Sequence, residues 1–206
     1  MKKTTIAMGM FFALTSMSAM AHQAGDIILR TGPIMVVPDT STNNGSFKFN
    51  VNSNTQLGLT GTYMITDNIG VELLAATPFS HKIKLGDTLV GKTKQLPPTL
   101  YAQYYFGDKN SKAHPYVGAG VNYTTFFDEK EKLPGLKDLK LDDSWGVAFN
   151  AGIDIDLTDN LMFNTSMWYA KIKSKATFNL KGVEKQQKAD VKLDPMVFFM
   201  GIGYRF

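Results

Sequence analysis

The stretch Asp194–Phe206, DPMVFFMGIGYRF, decides how the chain is read. Taken in steps of two, Met196, Phe198, Met200, Ile202, Tyr204 and Phe206 form one face, and Val197, Phe199, Gly201, Gly203 and Arg205 the other. A period of two is a β-strand. One face is apolar throughout, while the other mixes small, apolar and charged residues, and it carries an arginine. An apolar exterior over a mixed interior is the wall of a membrane barrel. The terminal Phe206 is then the last outward residue of the last strand, at the membrane interface.

The N-terminus, MKKTTIAMGMFFALTSMSAMA, has the three parts of a secretory signal peptide: Lys2 and Lys3, an apolar run over Thr4–Met17, and the small residues of Ser18-Ala19-Met20-Ala21. The expectation is a cleaved segment over residues 1–21 and an outer-membrane barrel domain over 22–206. No later apolar run approaches the about 20 residues of a spanning helix. The chain has no cysteine, so neither disulfides nor thiolate metal sites enter the fold. Aromatic residues make up 12% of the chain and 18 residues are glycine, which fits exported all-β proteins, membrane-embedded or not.

Strand length and loop asymmetry separate those two. Eight segments alternate: Asp26–Pro38, Thr55–Thr66, Ile69–Phe79, Leu96–Gly107, Pro115–Phe127, Ser144–Leu157, Leu161–Ser174 and Leu193–Phe206. They are longer than the usual soluble strand of about 5–6 residues and match the about 9–11 that cross a bilayer at a tilt. The connections alternate too. Asp67-Asn68, Asp108–Lys112 and Thr158–Asn160 are short, whereas Asp39–Asn54, Ser80–Gln95, Asp128–Asp143 and Lys175–Lys192 are long and polar. Short turns on one side and long loops on the other mark an outer-membrane barrel. The faces agree: Trp145, Val147, Phe149, Ala151, Ile153 and Ile155 carry no charge, while the alternate set includes Asn150 and Asp154. Tyr63, Tyr104, Phe106, Phe163, Tyr204 and Phe206 fall near strand ends, where aromatic girdles sit. The predicted fold is an all-β, eight-stranded antiparallel transmembrane β-barrel with short periplasmic turns and long extracellular loops, in the outer membrane of a Gram-negative bacterium.

Five stretches go beyond a generic barrel: NTQLGLTGTYMITDNIGVELLAATPFSHKI (Asn54–Ile83), LPPTLYAQYYFGD (Leu96–Asp108), PYVGAGVNYTTFFD (Pro115–Asp128), DSWGVAFNAGIDIDL (Asp143–Leu157) and LDPMVFFMGIGYRF (Leu193–Phe206). Together they closely resemble the OmpW family, in order and over nearly the whole of the chain after the leader. The resemblance implies a narrow, unusually hydrophobic channel that passes small hydrophobic molecules, with sideways exit into the membrane as one route. It does not supply the cargo.

An eight-stranded barrel leaves room only for its own side chains or one small ligand. Parity turns Leu74 and Trp168 inward at similar depth, as an apolar constriction or as packing. Tyr101, Phe126 and Phe199 extend the lining. Arg30, Glu72, Asp154 and Arg205 also point inward, nearer the short-turn side, where opposite charges should pair because an unpaired buried charge is costly. A plugged floor would send cargo out through the wall. Pro33, Pro38, Pro78, Pro97, Pro98 and Pro115 lack the N–H that a ladder needs, so each marks either a strand end or a gap. Tyr204 and Phe206 resemble the C-terminal signal read by barrel-assembly machinery.

Lysines crowd the long loops: Lys82, Lys84, Lys92, Lys94, Lys130, Lys132, Lys137, Lys140, Lys173, Lys175, Lys181, Lys185, Lys188 and Lys192. They face the outer leaflet, where lipid and lipopolysaccharide phosphates are candidate partners and an ordinary solvated loop is the alternative. The net charge of +4 does not point to nucleic acid. The three histidines, His22, His81 and His114, assemble no catalytic set by this topology, no metal-ligand spacing is visible and no cofactor is implied. With what the resemblance implies, the reading is a channel for small hydrophobic molecules. A filled barrel whose loops act as adhesin or receptor is the alternative, because both need the same wall.

Overall fold

The computed structural model describes residues 22–37, 49–51, 53–85, 88–107, 111–131, 136–181 and 186–206. The predicted leader over 1–21, Pro38, Lys132 and Lys185 lie outside these residues. The described residues form fourteen strands: β1 (Ile27–Val37), β2 (Phe49–Val51), β3 (Asn54–Met64), β4 (Ile69–Ala76), β5 (Phe79–Leu85), β6 (Thr88–Leu96), β7 (Thr99–Tyr105), β8 (Ala113–Glu131), β9 (Leu136–Leu141), β10 (Ser144–Asp156), β11 (Leu161–Ala170), β12 (Lys173–Leu180), β13 (Gln187–Lys192) and β14 (Met196–Arg205).

Eight of them close a ring of antiparallel pairs in the order β1, β3, β4, β7, β8, β10, β11, β14 and back to β1. The last closure pairs Ile28 with Arg205 and Val37 with Met196, and Phe206 donates its N–H to the carbonyl of Ile27 at 2.9 Å. Closure leaves the ring without a sheet edge, which a strand surrounded by lipid cannot leave unpaired. The short turns and both described ends lie on one side of the ring. Leu57, Leu59, Leu73, Val121, Phe149 and Met200 stand exposed on its outer surface, while Arg30, Glu72 and Asp154 are buried inside. In water that distribution would be unstable; in lipid it is the expected one.

Neighbouring strands approach closely where a side chain would intervene. A Cβ built on Gly120 would strike the carbonyl oxygen of Leu100 on β7, and one built on Gly146 that of Lys171. Glycine at these two positions lets the wall tighten.

The long polar stretches are more ordered than a loop reading expects. Strands β5 and β6 form a hairpin that continues β4 and β7 and pairs with the extended upper end of β8, and β2 adds to β5. Strands β13, β12 and β9 form a separate three-stranded sheet. These strands escape a search for apolar outer faces because their outward residues are polar. In β12, Lys173 and Lys175 are exposed while Ser174 and Ala176 are buried. Above the membrane, a polar-out, small-in pattern is what a barrel wall needs.

Candidate ligand-binding lumen

The ring orders the lumen into storeys. At the base, Arg30 of β1 is fully enclosed. Its Nε donates to Asp154 Oδ1 at 2.9 Å, its Nη2 to Asp154 Oδ2 and to Tyr105 Oη at 3.0 Å, and its Nη1 to Thr62 Oγ1 at 2.7 Å and Glu72 Oε2 at 3.1 Å. Asn150 and Asn164 donate to Glu72 and Asp154 in turn, and the guanidinium lies over the Tyr116 ring. One cation is thus shared between carboxylates from β4 and β10, and parity alone brought all three to the lumen. Ile28, Met64, Tyr105, Tyr116 and Met162 pack into the same layer.

Arg205 departs from the expected four-membered cluster. It is buried, but it lies below the others and bonds the Asp159 carbonyl, with its Nη1 3.4 Å from His22 Nδ1. His22 links the two levels: its Nε2 stands 3.4 Å from Asp154 Oδ2. The His22 ring also packs 4.8 Å from both Tyr105 and His114, and His114 Nε2 sits 3.1 Å from Asp156 Oδ2. This histidine pair was not legible in the sequence. Ninety-odd residues separate its members, and His22 lies outside every strand, so no periodicity assigns it to the lumen. The side chain of His81 lies outside the described residues.

Above the floor the lining turns apolar. Leu74 on β4 and Trp168 on β11 stand four strands apart in the ring of eight, on opposite walls, and both are buried. Trp168 stacks on Phe199 with ring centroids 5.5 Å apart. Tyr101, Phe126 and Phe199 join Ile34, Val36 and Phe79 in the same cluster. A narrow cavity of about 30 Å³ remains among Leu74, Phe79, Tyr101, Trp168, Ile34 and Val36, with Gln95, Thr99 and Asn122 as its polar lining. That holds a small group or a water or two, not a whole ligand with the walls at rest. The Trp168 indole N–H is buried and finds no acceptor among the described residues. Phe126, Leu141 and Leu193 carry the lining upward between the extracellular sheets.

The wall beside this cavity is interrupted. Pairing of β4 with β7 stops at Leu74–Thr99, and pairing of β5 with β6 starts at Phe79–Gln95. Pro78, Pro97 and Pro98 fall in between and donate nothing. The carbonyl of Pro98 turns the other way, accepting from the Tyr123 N–H at 3.0 Å, and Asn122 Nδ2 caps those of Pro97 and Pro98 at 3.3 and 3.4 Å. Pro97 also lines the cavity. Pro115 stays within paired strands, and Pro33 pairs with Leu57 of β3 while Gly32 and Pro33 drop out of the β1–β14 pairing.

Girdles mark the two interfaces. Tyr63, Tyr104, Phe106, Tyr204 and Phe206 are exposed at the short-turn end, the last two rings 4.7 Å apart. At the other end Trp145, 73% exposed, packs against Tyr123 with ring centroids 4.8 Å apart and planes tilted by 40°.

Comparison with known proteins matches this architecture. The model of the OmpW family covers residues 23–206. Outer membrane protein W of Vibrio cholerae is 50% identical over 221 residues, spanning all of both chains. The crystal structure of the outer membrane protein OprG from Pseudomonas aeruginosa superposes with a TM-score of 0.85 at 44% identity, covering 91% of this chain and 99% of that one. A more distant relative, the dibenzothiophene metabolism operon protein PahQ of Pseudomonas aeruginosa, is 29% identical over 148 residues, 70% of this chain and 68% of that one. The closed eight-stranded ring, its lipid-facing exterior and these matches agree that the chain belongs to the OmpW family of outer-membrane proteins.

Proposed function

We propose that this outer-membrane barrel is a channel for small hydrophobic molecules, which enter the apolar upper lumen and leave sideways through the wall. One observation carries the reading: the apolar cavity stands above an ion-paired floor and next to the ladder interruption at Pro97-Pro98. With Arg30, Glu72 and Asp154 locked together below, descent through the base would break a buried ion network. Leu74 and Trp168 act as the constriction; Tyr101, Phe126 and Phe199 line the approach. The unpartnered Trp168 N–H favours an apolar compound that carries one hydrogen-bond acceptor. The relative named for a dibenzothiophene operon fits cargo of this class. The reading assigns no catalytic role to the lumen. His22 and His114 belong to the sealed base, away from the cavity.

A filled barrel that displays its extracellular strands is the second reading, favoured by the small size of the cavity and the Trp168–Phe199 stack that occupies its side. The two tryptophans separate the readings. The Trp145→Phe protein in lipid vesicles keeps only the lumenal indole, and Trp168→Phe keeps only the lipid-facing one. On adding 2-decanone, an apolar chain with one carbonyl acceptor, a channel gives a saturable change in Trp168 emission that Trp145 does not share. A filled barrel gives the same linear drift in both.

We also read Tyr204 and Phe206 as the segment engaged by barrel-assembly machinery. Phe206→Ala is expected to reduce folded protein in the outer membrane, read by heat-modifiable migration, while refolding of the purified chain in detergent is unchanged. A variant impaired equally in both settings would assign Phe206 to barrel stability instead.

A further inference from the structure

The chain enters the barrel by way of a buried histidine. Residues 23–26 make a tight turn. The Asp26 N–H donates to the Gln23 carbonyl at 3.1 Å and the Gln23 N–H to Asp26 Oδ2 at 2.8 Å. Gly25 takes the positive φ, 98°, that such a reversal requires. Two further bonds tie the turn to the end of the barrel: the Ala24 N–H donates to Asp67 Oδ1 at 3.1 Å, and the Gly25 N–H to the Met64 carbonyl at 2.8 Å. Gln23, Ala24 and Gly25 are exposed, yet His22 at the head of the turn is only 2% exposed. The reversal therefore seats one imidazole in the base of the lumen.

The strands packed against that ring bring charged and titratable groups to it. Arg205 of β14 has its Nη1 3.4 Å from Nδ1, and Asp154 of β10 its Oδ2 3.4 Å from Nε2. The Tyr105 ring of β7 and the His114 ring of β8 each lie 4.8 Å away, centroid to centroid. Arg30 of β1 stands behind Asp154, and Asp156 of β10 behind His114. This seat fits a neutral imidazole. A guanidinium offers hydrogens and no acceptor, so Nδ1 accepts from Arg205 and the ring hydrogen belongs on Nε2, toward Asp154. A second proton would set an N–H on Nδ1 against the N–H groups of Arg205. Asp154 has little left to offset that, since its Oδ1 already accepts from Arg30 and Asn164 and its Oδ2 from Arg30. Burial, the largest cause, holds the His22 imidazole below its ordinary range; Asp154 opposes this, and His114 and Arg30 add to it.

We propose that His22 is a pH-operated stopper: seated in the base of the lumen while neutral, it leaves when protonated, and the turn of residues 23–26 swings out and opens the lower lumen to the periplasm. A base with depressed proton affinity in the seated state favours that state above its ordinary value of about 6.5, and loses the contribution as pH falls below it. The ratio of unseated to seated segment then rises by up to about tenfold per pH unit. The strands need not move. Side-chain contacts hold the ring, and the two backbone bonds of the turn lie at an exposed end. The device is independent of what the lumen carries and of where cargo leaves.

The test places a nitroxide on Gln23→Cys, an exposed position in a chain without natural cysteine, and uses the folded protein in lipid vesicles. Electron paramagnetic resonance follows the label from about pH 8 to about pH 5, the range in which histidine titrates. The immobile component should dominate at the upper end. Below about pH 6.5 the ratio of mobile to immobile label should rise about tenfold, while heat-modifiable migration shows the barrel still folded. His22→Phe keeps a flat ring against Tyr105 and His114 but has no nitrogen to titrate, and His22→Gln is the smaller neutral variant should the phenyl ring prevent folding. In either, the ratio should stay constant across the range. His114→Gln removes one of the groups that depress His22 and should move the transition to lower pH. A flat response in the labelled parent overturns the proposal. So does a transition that persists in the His22 variants, which would belong to another group, or a barrel that unfolds over the same range.

Discussion

Arg30→Met should destabilise the folded barrel by about 3–5 kcal/mol, measured as a shift in guanidinium unfolding from lipid vesicles. The side chain is buried and is the shared partner of Asp154 and Glu72, and the Thr62 and Tyr105 hydroxyl oxygens accept its remaining N–H groups. Methionine fills much of the volume but leaves two carboxylates facing each other in a closed lumen. Most of the expected cost is theirs, since it comes from stranding charge and not from losing a favourable pair. A rescue follows. Adding Glu72→Gln and Asp154→Asn to Arg30→Met should recover a large part of the loss, because neutral amides at the same positions can still bond Thr62, Asn150 and Asn164. If Arg30→Met unfolds with the wild type, the floor is wet and open enough to solvate both carboxylates, and the case for sideways exit loses its support.

The second large effect concerns the wall. Continuing the register that pairs Leu74 with Thr99 sets Ala75 opposite Pro98, in the interrupted stretch. Were the ladder closed here, cysteines at these two positions would stand at the spacing of an antiparallel pair, about 4.5–5.5 Å between Cα atoms, within the range of a disulfide. The natural chain has no cysteine, so the bridge is the only one possible. Oxidised Ala75→Cys/Pro98→Cys protein should lose delivery of an apolar fluorophore into vesicle membranes down to the level of protein-free vesicles. Its saturable Trp168 signal should persist, and a reductant should restore delivery. Delivery that continues under oxidation would mean that cargo leaves by another route. Loss of the Trp168 signal together with delivery would instead mean that the staple blocks entry.

Which residues face lipid and which face the lumen was legible in the chain itself. Leu74, Tyr101, Trp168, Phe199, Arg30, Glu72 and Asp154 all lie inside, where a period of two puts them, because alternation is a local property of each strand and lipid tolerates no error on the outer face. The strand extensions above the membrane were not legible as strands, because water imposes no apolar outer face and Lys82, Lys92, Lys173 and Lys175 read as loop. Nor was the meeting of distant residues. That Trp168 stacks on Phe199 depends on how β11 and β14 are registered, and that Arg205 joins His22 and not Glu72 depends on a segment outside every strand. The ladder interruption needed both hairpin registers before Pro97 and Pro98 could be told from an ordinary strand end. Sequence by itself determined the eight crossings and their two faces, through a periodicity that each short segment carries alone. Only the closed ring decided neighbours, depth and the gap, since register and closure are set by contacts between segments far apart in the chain.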